Sequence, residues 1–549
     1  MFLSFALLLA PLGPVSALSH GNTDTLASSP LNWAPCDLSF PEDVQKNIAV
    51  PIDCATLEVP LDYTDSASSK TIMLQLVKVN ATEEPVKGSV IFNPGGPGSS
   101  GVEEVVQKGP AYRDVFGGHF NVIGFDARGT GKTIPYVCDV PSGAANPGSL
   151  FRRGNATSFP QGDLWETLKS KAWHDGGVLA DACYESQKDT GSFVNTAFVA
   201  RDMLKIVDAL NEDGLLRFWG RSYSTVLGQT FAAMFPDRVG RMLLDSNLPA
   251  EDYYSGYWLS ATRGTDAALM NFFNECVNAG PSMCPLANYS GSSTSPQDLM
   301  DALSEVFQEL IDNPITLPDS YPVSSWWQPG GMDLLLEAKF AIFANLYRPD
   351  QFPGLMEIIQ AALARNYTLW ETARPPPSTP KWNEGTDALH GIACVDATLR
   401  ASLPEDMYSL LEAQTAQGSF ADAFSPELWP CSQWRFDAAE RYEGGFRNTN
   451  TSFPILFVNG LYDPITPLST AWEISAGFTA SRLVVHEGHG HGFMNHPSSC
   501  TIQAVREYFD SGKLPEHGTR CKPDKTAVEY LSELIGQAGN GTVKRRASE

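Results

Sequence analysis

The chain has 549 residues, of which 43% are hydrophobic and 18% are charged, a balance typical of a globular protein. This length is sufficient for a large hydrophobic core or for more than one domain. The net charge of −25 argues against nucleic acid and against an anionic membrane as partners, because both are polyanions.

The N-terminal segment is typical of a secretory signal peptide. Residues 2–9 are almost wholly apolar, and the small residues Val15-Ser16-Ala17 favour cleavage after Ala17. A membrane anchor is the alternative, but the apolar run is too short to span a bilayer and prolines interrupt it. We therefore assign residues 1–17 to a signal peptide and expect a secreted protein. Six N-x-S/T sequons agree with secretion, at Asn80, Asn155, Asn288, Asn366, Asn450 and Asn540.

Cysteine usage also indicates an oxidising compartment. The chain has ten cysteines, none in a C-x-x-C pair and none beside a histidine at zinc-ligand spacing, so no metal site is expected. Five disulfides are predicted instead. The sequence leaves their connectivity open, and pairing neighbours along the chain would give Cys36–Cys54, Cys138–Cys183, Cys276–Cys284, Cys394–Cys431 and Cys500–Cys521.

The predicted elements divide the chain into three blocks. Residues 50–250 alternate strand-like and helix-like segments, which is typical of a parallel α/β sheet. Residues 251–449 are rich in helical patterns and predict a helical insertion, and residues 450–535 return to the alternating pattern. The predicted strands are Thr71–Val79, Ser89–Phe92, Asn121–Phe125, Leu215–Trp219, Arg241–Asp245, Phe453–Val458 and Arg482–Val485.

A candidate catalytic turn, Gly220-Arg221-Ser222-Tyr223-Ser224, stands between a predicted strand and a helical segment. A nucleophile elbow, G-x-S-x-G, requires this context, because its serine lies at a strained turn between closely packed elements. Here Ser224 replaces the second glycine. The alternative is a serine in an ordinary surface turn, but the context predicts Ser222 as the nucleophile.

A serine hydroxyl needs a base to remove its proton, and three histidines lie within residues 486–491. We favour His491, which two glycines flank, with His489 second and His486 as a structural residue. Asp463 follows a predicted strand and would orient the imidazole and stabilise its charged form. The alternatives are a metal site for the histidines, for which no companion ligand has suitable spacing, and a simple Asp-Pro turn for Asp463.

A glycine-rich segment, residues 93–101, follows another predicted strand. Its glycines allow unusual backbone angles and expose N–H groups, which suits an oxyanion hole. We assign Gly95 and Gly96 to this hole, together with the N–H of Tyr223, the residue after the nucleophile. A phosphate-binding loop is the alternative, but the segment lacks both the G-K-[ST] ending and the G-x-G-x-x-G spacing.

Together these motifs resemble those of the α/β-hydrolase peptidases of the prolyl iminopeptidase and tripeptidyl aminopeptidase group. The resemblance rests on the elbow and on NPGGPG at 93–98, DARGTG at 126–131, DPITP at 463–467 and GHGH at 488–491. The last of these, with Cys500, resembles a tripeptidyl aminopeptidase-like C-terminal region. The group implies an α/β-hydrolase fold whose mostly parallel central sheet is interrupted by a large helical cap.

The same resemblance implies that acidic side chains hold the free ammonium group of the substrate, for which Glu103 and Glu104 are candidates. Arg221, a large cation directly before the nucleophile, departs from the expected pattern. It would either shape a substrate pocket or pair with a nearby carboxylate.

We therefore expect a secreted serine hydrolase without a cofactor, in which Ser222, Asp463 and His491 cleave peptides near a free N-terminus through an acyl-enzyme. An esterase or another acyl hydrolase is the alternative, since the same triad acts on esters and amides. A hydrolase-fold binding protein without activity is a further alternative, but no member of the triad is missing.

Overall fold

The computed structural model describes residues 30–539, apart from 37–39, 42–43, 46–47, 49, 141–158, 318–332, 372–381, 384 and 386. The predicted signal peptide at 1–17 and the sequons at Asn155 and Asn540 lie outside the described residues. The other four sequon asparagines are exposed. Within the described part of the chain, no helix is both long enough and apolar enough to cross a membrane.

One ten-stranded sheet lies at the centre of the protein, in the order β1-β2-β3-β5-β4-β6-β7-β8-β9-β10. The pairs β1/β2, β2/β3 and β3/β5 are antiparallel, and all later pairs are parallel. The strands are β1 (Ala34–Pro35), β2 (Ile52–Pro60), β3 (Thr71–Val79), β4 (Ser89–Asn93), β5 (Asn121–Phe125), β6 (Leu216–Arg221), β7 (Val239–Asp245), β8 (Leu456–Tyr462), β9 (Arg482–His489) and β10 (Arg520–Cys521).

Parallel strands need crossover connections, and here these connections are mainly helices. Fourteen α-helices of six or more residues lie among the described residues: α1 (Gly101–Val115), α2 (Trp173–Ser186), α3 (Thr196–Leu210), α4 (Tyr223–Met234), α5 (Ala250–Ser255), α6 (Thr265–Ala279), α7 (Pro296–Asp312), α8 (Leu334–Asn345), α9 (Phe352–Leu363), α10 (Ala388–Asp396), α11 (Tyr408–Thr415), α12 (Leu468–Ala476), α13 (Ser499–Ser511) and α14 (Ala527–Gly539).

Both faces of the sheet are covered, so its central strands are apolar along most of their length. Helices α3, α4 and α12 pack on one face, and α1 and α13 pack on the other. The strand order, the parallel centre and the two helical layers are those of the α/β-hydrolase fold, which confirms the fold class expected from the motifs.

A third hydrophobic cluster lies outside these two layers and forms the helical cap. Helices α5 to α10 contribute to it, and so does α2, which precedes the nucleophile in the chain. The disulfide Cys138–Cys183 attaches α2 to the loop that follows β5. The cap is therefore assembled from segments on both sides of the nucleophile elbow.

All ten cysteines form disulfides, and each pairs with its neighbour along the chain, so the predicted connectivity is confirmed. Cys36–Cys54 and Cys500–Cys521 lie in the core, whereas the other three bridges lie in the cap.

Candidate active site

Ser222 occupies the sharp turn between β6 and α4. Its backbone angles, φ 60° and ψ −129°, lie in a region that costs a residue with a side chain about 1–3 kcal/mol. A β-carbon at Gly220 would lie 2.5 Å from the carbonyl oxygen of Ser224, so strand and helix approach too closely for a side chain there. Strand, turn and helix thus have the geometry of a nucleophile elbow.

The serine that replaces the second elbow glycine connects the elbow to the glycine-rich loop. Ser224 is buried, and its hydroxyl donates a hydrogen bond to Oδ1 of Asn93, at the end of β4. The same oxygen accepts the N–H of Gly95 at 3.2 Å. The hydroxyl of Ser224 therefore helps to hold Asn93, the first residue of the glycine-rich loop, in place.

Gly95 lies directly against the nucleophile. Its φ is +99°, and a β-carbon there would lie 2.5 Å from the carbonyl oxygen of Arg221 and 3.0 Å from both Cβ of Ser222 and the nitrogen of Tyr223. The structure thus brings Gly95 and Tyr223, two of the three predicted oxyanion residues, to the same point. The third, Gly96, lines the cavity described below.

His491 follows β9, and its Nδ1 lies 3.0 Å from Oδ2 and 3.2 Å from Oδ1 of Asp463. Asp463 is fully buried and accepts the backbone N–H groups of Ile465 (3.0 Å) and Thr466 (2.9 Å). The Thr466 hydroxyl donates to Oδ2 of Asp463 at 2.8 Å and lies 3.3 Å from Nδ1 of His491. These bonds hold the carboxylate facing the imidazole.

Thr466 is a residue of the site that the motifs do not predict, although it lies within the DPITP segment at 463–467. The signal was available, since an Asp followed by Thr three residues later is a common hydrogen-bonded turn.

The other two histidines of the cluster point elsewhere. Nε2 of His489 lies 2.7 Å from Nδ2 of Asn271 and 3.2 Å from Oε1 of Glu275, both on cap helix α6. Nδ1 of His486 lies 3.0 Å from the hydroxyl of Thr501, and burial lowers the pKa of His486 to about 3. No group of three or more His, Cys, Asp or Glu side chains in the described residues could hold a metal ion.

A cavity of about 820 Å³ lies between the sheet and the cap, and both Ser222 and His491 line it. Residues 96–99 of the glycine-rich loop form part of its core side. On the cap side, aromatic rings of Phe340, Phe343 and Tyr347 face it. Of the three clustered histidines, His491 is the one in this lining.

The candidate acids Glu103 and Glu104 do not line the cavity. Oε1 of Glu104 accepts from Nη2 of Arg221 at 3.0 Å and from Nζ of Lys108 at 3.2 Å. Burial alone would raise the pKa of Glu104, but these two cations lower it to about 2. Arg221 pairs with this carboxylate and also lines the cavity, so both roles considered for it remain open. Among the described residues, Asp387 is the acidic side chain in the lining.

A second buried carboxyl, not anticipated from the sequence, lies beside the site at the end of β7. Asp245 accepts the N–H of Phe493 at 3.3 Å, and its carbonyl oxygen accepts the N–H of Ser222 at 3.0 Å. Burial raises the pKa of Asp245 to about 7, against the opposing effect of Arg221. Its position at a strand end next to the elbow was the available signal.

Comparison with known proteins identifies a family model and several relatives to which this chain is similar. A family model described as TAP-like protein matches residues 416–521. The serine protease Hip1 of Mycobacterium tuberculosis is 26% identical over 505 residues, which cover 90% of this chain and 91% of that protein. The tripeptidyl aminopeptidase of Streptomyces lividans is 23% identical over 515 residues, covering 91% and 88%. Carboxylesterase B of Mycobacterium tuberculosis is 24% identical over 491 residues, covering 86% of each chain.

These similarities cover 86–91% of the chain and therefore extend over both the core and the cap. The resemblance predicted from the motifs is thereby confirmed: the chain is a serine hydrolase of the α/β-hydrolase fold, related to tripeptidyl aminopeptidase and to Hip1, with a TAP-like region at residues 416–521.

Proposed function

We propose that this protein is a secreted serine peptidase that cleaves peptides near a free N-terminus through an acyl-enzyme. The observation that carries the proposal is the cavity that Ser222 and His491 share, with Nδ1 of His491 held by the buried carboxylate of Asp463. This order of contacts leaves Nε2 of His491 as the atom that serves the nucleophile.

In the proposed reaction, Ser222 attacks the scissile carbonyl while His491 accepts the hydroxyl proton. Asp463 stabilises the imidazolium that forms. The N–H groups of Tyr223 and of Gly95 or Gly96 stabilise the tetrahedral oxyanion. His491 then protonates the leaving amine. In the second half, His491 removes a proton from water as the water attacks the acyl-enzyme, and it returns this proton to Ser222 as the ester bond breaks.

Two features support action near a free N-terminus. The cavity is lined by residues of both the core and the cap, and we expect the cap to favour chain ends and flexible segments over folded proteins. Asp387 lines the cavity, and its carboxylate, which accepts the N–H of Cys138 through Oδ2 at 2.8 Å, would also bind the ammonium group of the substrate. The similarity to a tripeptidyl aminopeptidase along 91% of the chain supports the same specificity.

Secretion is supported by the apolar N-terminal segment and by the five disulfides, because such bonds persist in oxidising compartments. The exposed sequons at Asn80, Asn288, Asn366 and Asn450 are accessible to glycosylation in such a compartment.

The nucleophile is tested with a serine-directed fluorophosphonate. Labelling should be lost in Ser222→Ala and retained in Ser511→Ala, a matched change at an exposed serine of α13. Equal labelling of the wild type and of a folded Ser222→Ala protein would refute the assignment.

An esterase is the second candidate, which the similarity to carboxylesterase B favours. A panel of aminoacyl and tripeptidyl amides and short-chain esters separates the two. Preferred hydrolysis of amides with a free amino group, and loss of that preference on N-acetylation, is the expected result. Equal hydrolysis of acetylated and free substrates would favour the esterase.

A further inference from the structure

The core side of the cavity carries two cations that share one carboxylate. Arg221 ends β6 directly before Ser222, and Lys108 lies on α1, the helix that follows the glycine-rich loop. Both side chains line the cavity, and both bond to the same oxygen, Oε1 of Glu104, at 3.0 and 3.2 Å. The set of three side chains therefore has a net charge of +1.

The neighbouring groups do not cancel this charge. Arg221 also interacts electrostatically with the buried Asp245, but burial raises the pKa of Asp245 to about 7, so this carboxyl is only partly ionised at neutral pH. A third cation of the lining, Arg348, pairs with Asp350 at 3.1 Å, so that Asp350 neutralises Arg348 and not Lys108 or Arg221. The excess positive charge thus lies at the wall beside the nucleophile.

The cavity therefore carries charges of both signs, since Asp387 also lines it. A short peptide with free termini has the matching pair of charges. When its scissile carbonyl lies at Ser222, the next residue of the leaving part extends about 3.5 Å further into the cavity that Arg221 and Lys108 also line.

We propose that Lys108 and Arg221 form a subsite for a carboxylate on the leaving part of the peptide, so that the enzyme prefers a leaving group that carries a negative charge there. The subsite rests on the peptidase function proposed above. Two sources supply this carboxylate: the C-terminus of a short peptide, or an Asp or Glu side chain at the first residue of the leaving part.

The experiment compares kcat/KM for the peptide Ala-Ala-Ala-Ala and for its C-terminal amide, with mass spectrometry to identify the bond cleaved. For each variant, kcat/KM for the acid is divided by kcat/KM for the amide. The acid and the amide differ in intrinsic reactivity, but this difference is the same for every variant and does not affect the comparison. Lys108→Gln should lower the ratio about five- to tenfold, and Glu104→Gln, which removes the shared anion, should raise it. Lys513→Gln, a matched change at an exposed lysine that pairs with Glu507, should leave the ratio unchanged.

A second pair, Ala-Ala-Ala-Asp-amide and Ala-Ala-Ala-Asn-amide, distinguishes the two sources of the carboxylate. If Lys108→Gln lowers only the ratio of the acid to the amide, the subsite binds the C-terminal carboxylate. If it lowers only the ratio of the Asp peptide to the Asn peptide, the subsite binds an acidic side chain. Cleavage of both pairs with ratios that stay within twofold in Lys108→Gln and Glu104→Gln would overturn the subsite but not the peptidase. The absence of cleavage of all four peptides would overturn both.

Discussion

The core and the cap each contain a buried ion pair, yet the two regions contribute different groups to the site. In the core, Arg128 bonds to Asp202 at 2.7 Å, and in the cap, Nζ of Lys339 bonds to Asp422 at 2.6 Å. The residues assigned to bond cleavage lie on core segments at the ends of parallel strands, which meet at one edge of the sheet. The cap contributes aromatic rings and Asp387. In the proposed function, the core therefore supplies the groups that cleave the bond, and the cap, together with Lys108 and Arg221, selects the substrate.

The two histidines on either side of Gly490 give the largest expected contrast. His491→Ala should lower kcat/KM by about 10⁴-fold or more, because it removes the proposed base. His489→Gln should change kcat/KM by less than about tenfold, since His489 faces Asn271 and Glu275 of the cap. Full activity of His491→Ala in steady-state assays, with thermal unfolding to verify folding, would reassign the base.

The core was the more predictable region, for a physical reason. Strands β3 and β5 have the predicted bounds, Thr71–Val79 and Asn121–Phe125, because apolar runs bounded by turn residues leave little choice of register. Because Ser222, Asp463 and His491 each follow a predicted parallel strand, the sequence alone predicts that they lie at the same edge of the sheet.

The cap was predicted as helices but not as an assembly. Helical patterns predict an insertion over residues 251–449, yet they contain no information on which distant segment packs against it, as α2 does. The charges of the cavity were missed for the same reason. Glu104 and Asp387 are both acidic, and only the fold decides that Glu104 pairs with Arg221 while Asp387 faces the cavity.

Removal of one cation from each buried ion pair tests whether core and cap unfold together. Arg128→Met and Lys339→Met should each lower the free energy of unfolding by about 3–5 kcal/mol, because each leaves a buried carboxylate without its cation. Just below the main transition in urea, Lys339→Met should retain fluorophosphonate labelling while its discrimination among peptides falls. Arg128→Met should lose both together. Parallel loss of both properties in both variants would show one cooperative unit.

The pH dependence of stability offers a third contrast, between Asp245 in the core and Asp333 at the start of cap helix α8. Burial raises the pKa of Asp245 to about 7 and that of Asp333 to about 6. Each folded pKa lies above the unfolded value, so ionisation costs stability as pH rises from about 4 to the folded pKa. The two asparagine variants lack this cost at every pH.

The stability of Asp245→Asn relative to the wild type should therefore increase by about 2–3 kcal/mol between pH 5 and pH 8, and that of Asp333→Asn by about 1–1.5 kcal/mol. Urea unfolding at the two pH values measures both differences, and the other titrating groups cancel because wild type and variant share them. A pH-independent difference for Asp245→Asn would mean that this carboxyl is ionised throughout the range.

The smallest expected effect concerns the residue that breaks the elbow pattern. Ser224→Ala removes the hydrogen bond to Asn93 but leaves the N–H of Gly95 on the same oxygen, so stability should fall by about 0.5–1.5 kcal/mol. If Ser224 helps to position the oxyanion loop, kcat should fall severalfold with KM nearly unchanged, since the loop contacts the transition state more than the bound peptide. Ser224→Gly, which restores the elbow motif, should show the same fall in kcat, because the missing hydroxyl and not the motif is responsible. A higher kcat in the glycine variant than in the wild type would instead mean that the serine only fills space.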